Sequence, residues 1–110
     1  MLNTGSLGEF EELVLLAVCG LTQGAYALAI QQRLEDKARR RATLGGIYRT
    51  LNRLEKKGYV RSWMGEITPV RGGKRKRLYE VTGAGTAAAI AARAAREGLW
   101  EGLNLKPALR

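Results

Sequence analysis

The chain of 110 residues has no histidine, one cysteine, two prolines and one phenylalanine, and aromatic residues make up only 6% of it. Without histidine it lacks the commonest metal ligand and the side chain best suited to general-base work near neutral pH. With Cys19 alone, no internal disulfide can form, and a metal site is not expected. Cys19 lies within V-L-L-A-V-C-G-L, where a small buried apolar side chain is the expected role. No nucleophile–base pair or carboxylate pair is recognisable, so neither catalytic residues nor a cofactor are expected. The apolar run 13–21 is too short to span a bilayer, and the first residues carry no cationic region of a signal peptide. These features predict a cytoplasmic protein with no membrane partner.

What the chain has in excess is positive charge. Nineteen Lys and Arg stand against ten acids, for a net charge of +9 and a pI near 10.3. That balance favours a polyanionic partner over a neutral small-molecule site. Its placement says more. Residues 1–30 carry Glu9, Glu11 and Glu12 and no cation, residues 31–61 carry ten cations against three acids, and 71–77 carry five against none. One edge of the molecule is predicted to be basic, and the N-terminal helix is not part of it.

Residues 42–58, A-T-L-G-G-I-Y-R-T-L-N-R-L-E-K-K-G, organise the rest. Leu44, Ile47, Leu51 and Leu54 recur at steps of three and four, which puts them on one face of a helix. Gly45, Arg49, Asn52, Arg53 and Lys56 lie opposite, with Gly46 and Lys57 nearby. Arg and Asn can make bidentate contacts to guanine and adenine edges. Gly45 and Gly46 would leave backbone amides open to a phosphate; a bent first turn is the competing reading. Thr43 is the expected N-cap and Gly58 the residue that ends the helix. Tyr48 borders the two faces, either half-buried or reaching a phosphate with its hydroxyl.

Upstream, residues 7–21 start acidic and become apolar on nearly every side, as for a helix at the domain centre or a subunit interface. A second helix is predicted over 25–38, with Tyr26 in its first turn, followed by the basic link Arg39–Arg41. Downstream, 59–65 and 78–82 read as strands of a hairpin. Its tip, R-G-G-K-R-K-R, places Arg71, Lys74, Arg75 and Lys76 near a polyanion if the hairpin flanks the basic helix. Trp63 on the first strand reads as core or wing packing. Thr82 should cap a last, alanine-rich helix running to Trp100, whose small side chains bury too little area to be held by its own domain alone. Expected self-association residues are Leu13, Leu16, Ile90, Ala94, Leu99 and Trp100. Trp100 reads as a packing anchor at the end of that helix.

The order α-α-α-β-β-α is that of a winged helix-turn-helix, mainly α with a small β-hairpin. It divides into a DNA-binding unit (1–82), a dimerisation helix (83–103) and a tail (104–110). Its third helix can enter the major groove while the hairpin reaches phosphate or the minor groove. Two other readings use the same residues: a non-specific architectural nucleic-acid binder, and a protein–protein dimerisation module.

The motifs L-G-E-F-E-E-L-V-L-L-A-V, G-A-Y-A-L-A-I, L-G-G-I-Y-R-T-L-N-R-L-E-K-K-G-Y-V and R-L-Y-E-V-T-G-A-G carry a resemblance to the PadR family of bacterial transcriptional regulators, in its small class with one short C-terminal helix. The resemblance implies a homodimeric repressor of double-stranded DNA that reads a pseudo-palindromic operator. It implies backbone contacts near Tyr26 and Tyr48, a dimer formed between the last helix and the partner's first, and, as in some relatives, an aromatic effector at that interface, for which Trp100 would be the platform as the alternative to a packing anchor. Gly83 departs from the family, which often has Pro or an acid there, and should weaken the start of the last helix.

Overall fold

The best-defined boundary is the end of the third helix. Its cap, Lys57, is followed by Gly58 at φ +81°, a left-handed conformation that suits glycine. The Gly58 amide then reaches the Glu55 carbonyl (2.9 Å) and the Tyr59 amide the Leu54 carbonyl (2.9 Å), the paired bonds of a Schellman stop. At the other end Thr43 Oγ1 accepts the Gly46 amide at 3.0 Å. Both termini are satisfied by the residues expected to do so.

The computed structural model describes residues 6–66 and 75–108. Within them the order is α1 (Glu9–Gly20), α2 (Ala27–Ala38), α3 (Leu44–Lys56), β1 (Val60–Met64), β2 (Arg77–Val81) and α4 (Gly83–Trp100). This is the expected winged helix-turn-helix. The strands pair antiparallel, with Val60 opposite Val81, Ser62 opposite Tyr79 and Met64 opposite Arg77. Val14, Leu15 and Val18 of α1, Ile30 and Leu34 of α2 and Ile47, Leu51 and Leu54 of α3 pack into one core, closed by Val60 and Tyr79 of the hairpin.

Several positions differ from expectation. Ala25 does not begin α2; its carbonyl accepts the Tyr79 amide (2.9 Å), adding a one-residue third strand to the hairpin, and Tyr26 becomes the cap of α2. Leu44 is 40% exposed, because it lies at the edge of the apolar stripe, and Thr50 is buried in its place. α1 is not enclosed on every side: Leu16 is 46% exposed and Cys19 is half-buried. Burial still pushes the Cys19 thiol up, which keeps it protonated and inert. Trp63 is 43% exposed, because it pairs with Leu78 on the face of the hairpin opposite the inward-facing Val60 and Tyr79.

α4 starts at Gly83 despite that glycine, because Thr82 does three jobs. Its hydroxyl accepts the Gly85 amide (3.0 Å) and donates to the Gly58 carbonyl (2.6 Å), and its amide donates to the Tyr59 carbonyl (3.0 Å). Gly85 packs so closely on this corner that a Cβ there would lie 2.1 Å from the Tyr59 carbonyl oxygen. From Arg93 to Ala108 every residue is exposed.

Gly85→Ala is therefore expected to destabilise the fold by about 1–3 kcal/mol, as overpacking does. Gly83→Ala, where a Cβ meets nothing within 4 Å, should be neutral or gain about 0.5–1 kcal/mol. Urea unfolding of the two variants checks the pair; equal effects would mean that the corner at Tyr59 can relax.

Candidate nucleic-acid interface

α3 is held in place by the acids of α1. Glu11, at 7% exposure, accepts the Gly8 amide (2.8 Å) and Lys57 Nζ (2.7 Å) on one oxygen and Arg53 Nε (3.4 Å) on the other. Burial alone would push the Glu11 carboxyl up, but the Gly8 amide, Lys57 and Arg53 together outweigh it and leave the group below its ordinary value. Lys57 also reaches the Ser6 carbonyl at 2.6 Å. Glu12 binds Arg96 of α4 at 2.6 Å, and Glu9 binds Arg40 of the α2–α3 link at 3.0 Å. Three neighbouring acids thus fasten the link, the reading helix and the last helix to one turn of α1.

These ion pairs sort the cations of α3. Arg53 is exposed, as expected for the outward face, and its guanidinium also reaches Glu11 (3.4 Å) and Thr50 Oγ1 (3.2 Å), because position 53 lies on the flank nearer α1. Lys57 faces inward. Gly45, Arg49, Asn52 and Lys56 remain as one exposed stripe opposite Ile47, Thr50, Leu51 and Leu54. Among the described residues, Arg49, Asn52 and Lys56 have neither an ion pair nor a side-chain hydrogen bond. Gly45 is exposed, whereas the Gly46 amide is spent on the Thr43 cap.

Beside the stripe, Tyr48 is 44% exposed and shares a recess of ≈ 220 Å³ with Tyr26, Leu28, Leu44 and the hairpin stem. Lys76 Nζ stands 4.1 Å above the Tyr26 ring centre, a cation–π contact that sets the stem against the start of α2. Arg75 is turned onto its own hairpin, donating to the Gly65 (2.8 Å) and Met64 (3.3 Å) carbonyls. Arg71 and Lys74 lie outside the described residues. The arrangement presents cations, an amide side chain and two phenols along one edge, suited to a groove flanked by phosphates.

The hydrogen-bonding roles of Glu11, Glu12, Arg40 and Arg96, and a cluster of Glu55, Ser62 and Arg77, were not anticipated. One signal was present: three acids close together in the longest cation-free stretch of a basic chain. The self-association residues sit apart from the basic edge. Ile90 is 64%, Leu99 79% and Trp100 59% exposed, Ala94 is exposed, Leu16 is half-exposed and Leu13 half-buried.

A model of the PadR-like transcriptional regulator family matches residues 15–91. The chain belongs to the PadR-like family. A PadR-like transcription factor from Bacteroides fragilis superposes with a TM-score of 0.70 at 26% identity, covering 84% of each chain. A PadR family regulator from Eggerthella lenta gives 0.67 at 25% identity, over 86% of this chain and 81% of that one. One from Clostridium difficile gives 0.69 at 18% identity, over 84% and 91%, and speaks for the fold. No curated protein sequence matches the chain. As a member of this family the protein is a DNA-binding transcriptional regulator and not an enzyme. None of its described helices is long and apolar enough to cross a membrane.

Because the Glu11 carboxyl titrates below its unfolded-state value, the stability it contributes is present above the unfolded pKa and is lost as pH falls through the acid range. Glu11→Gln is expected to lower the unfolding free energy by about 1.5–3 kcal/mol at neutral pH, typical of a hydrogen bond to a charged group. It should also flatten the loss of stability towards about pH 4. Urea titrations of both proteins at two pH values test this; identical acid dependence would remove Glu11 as the anchor.

Proposed function

We propose that this PadR-like regulator is a homodimeric repressor that occupies a pseudo-palindromic operator, with one α3 in each half-site about one helical turn apart. The observation that supports the reading-head assignment is the division of charge on α3: Lys57 is held by Glu11 and Arg53 leans towards it while staying exposed, whereas Arg49, Asn52 and Lys56 face outward uncommitted. Arg49 and Asn52 are assigned to base edges, and Lys56 with Tyr26, Tyr48 and Lys76 to the sugar–phosphate backbone. Arg71 and Lys74 are assigned to backbone contacts from their place in the basic run alone.

Dimerisation is supported by α4. An 18-residue helix about 27 Å long that buries only Gly85 and Ala89 leaves Ile90, Leu99 and Trp100 in water. Exposed apolar groups of that number call for a covering surface. Its alanine face, with Leu7 and Tyr59, borders an open groove of ≈ 650 Å³, where a second copy's α1 or α4 would fit. Repression then follows from occupancy of the site in the cytoplasm, and an aromatic effector between the subunits would meet the exposed Trp100 indole.

A selection from random duplexes at fixed moderate salt tests the assignment. Specific sites should bind about 10³-fold or more tighter than bulk DNA, and a flat profile would favour the architectural reading. Arg49→Ala should cost about 1–3 kcal/mol and relax preference at one position, whereas Lys76→Ala should weaken all sequences alike. Ile90→Glu should yield monomers in sedimentation and lose two-site binding; a dimer that survives it would reject the α4 interface.

A further inference from the structure

Glu55 is the only acid on α3, and it is exposed on the element assigned to the DNA groove. A carboxylate there opposes a polyanion, so a compensating use is to be sought in its contacts. Glu55 Oε2 accepts a hydrogen bond from Ser62 Oγ at 2.9 Å, and the same Ser62 oxygen accepts Arg77 Nη1 at 2.9 Å. Ser62 lies in the middle of β1 and Arg77 at the start of β2, at diagonal register positions on one face of the hairpin. One carboxylate on the reading helix thereby holds both strands of the wing.

We propose that Glu55 is a positioning residue that sets the angle of the wing against α3, with Ser62 as pivot and Arg77 as the donor that ties in the second strand. The covalent link between α3 and β1 is only Lys57, Gly58 and Tyr59, and its hydrogen bonds to α3 and Thr82 fix the root of β1 without reaching the outer half of the strands. The core contacts of Val60 and Tyr79 hold the base of the hairpin, but Arg75 and Lys76 project beyond them. The Glu55–Ser62–Arg77 chain acts higher up the strands and makes the stem enter at one angle relative to Arg49 and Asn52. It also separates Arg77, whose guanidinium is spent internally, from Lys76, whose ammonium lies over Tyr26. Base contacts and wing contacts can then be made together on one stretch of duplex.

This rests on the assignment of α3 and the wing to DNA, so the test has one arm without DNA. Amide hydrogen exchange of the free protein is compared for wild type, Glu55→Ala, Glu55→Gln and Ser62→Ala. Residues 60–64 and 77–81 should lose protection in Glu55→Ala and Ser62→Ala and keep it in Glu55→Gln, which retains an acceptor for Ser62. On a selected duplex, Glu55→Ala and Ser62→Ala should bind about 10-fold more weakly, with a salt slope shallower by about one phosphate contact. The thermal midpoint should stay unchanged, since both groups lie at the surface. Glu55→Gln should bind at least as tightly as wild type. Unchanged exchange in the hairpin of both alanine variants would overturn the clamp. So would tighter DNA binding by Glu55→Ala with an unaltered slope, or a fall in affinity matched by a fall in thermal midpoint. Loss of hairpin protection in the alanine variants, with a wild-type protein that selects no duplex, would instead overturn the DNA assignment and leave the clamp standing.

Discussion

The structure depends on one buried carboxylate. Glu11 lies at the start of α1 with almost no contact with water, and it takes a backbone amide, a lysine and an arginine. A charge in that position is tolerated only with such a full set of donors. Two of them come from the last turns of α3 and its cap, so neutralising Glu11 and docking the reading helix are the same event. Glu9 and Glu12 repeat the device for the preceding link and for α4. In a chain with net charge +9, the few acids stand where cations would otherwise repel one another at the seams.

This explains how much was legible from residues alone. The periodicity of Ile47, Leu51 and Leu54, the Thr43 cap and the Gly58 stop are local properties, and each element formed within a residue or two of its expected place. What could not be read is which charged side chains would be spent on partners distant in sequence. Arg53 shares the polar half of α3 with Arg49, and only the position of Glu11, 42 residues earlier, separates them. Ala25 was hidden for a similar reason: a single-residue bridge has no pattern of its own and exists because Tyr79 arrives beside it. The cation stripe of the interface was visible, then, but not its membership.

α4 shows the opposite balance. Its alanines predict weak retention by the domain, and the helix does leave the domain after its first two turns, with Arg96 and Glu12 as the last bond between them. The pair is partly buried, with Glu12 covered and Arg96 half-exposed. What holds the root of α4 is the contact of Thr82 and Gly85 with residues 58 and 59, a junction of backbone groups and not of large side chains.

That junction has a mechanical consequence. The stop of α3, the start of β1 and the root of α4 meet there with no room for one extra carbon. A turn applied at α4 is therefore delivered to the C-terminal end of α3, about 17 Å along the helix from Gly45. A rotation of about ten degrees about that end would sweep the opposite end by about 3 Å, close to the rise of one base pair. The smallest residue in the molecule thus leaves no slack at the junction, so that a displacement of the root of α4 is passed to the end of α3.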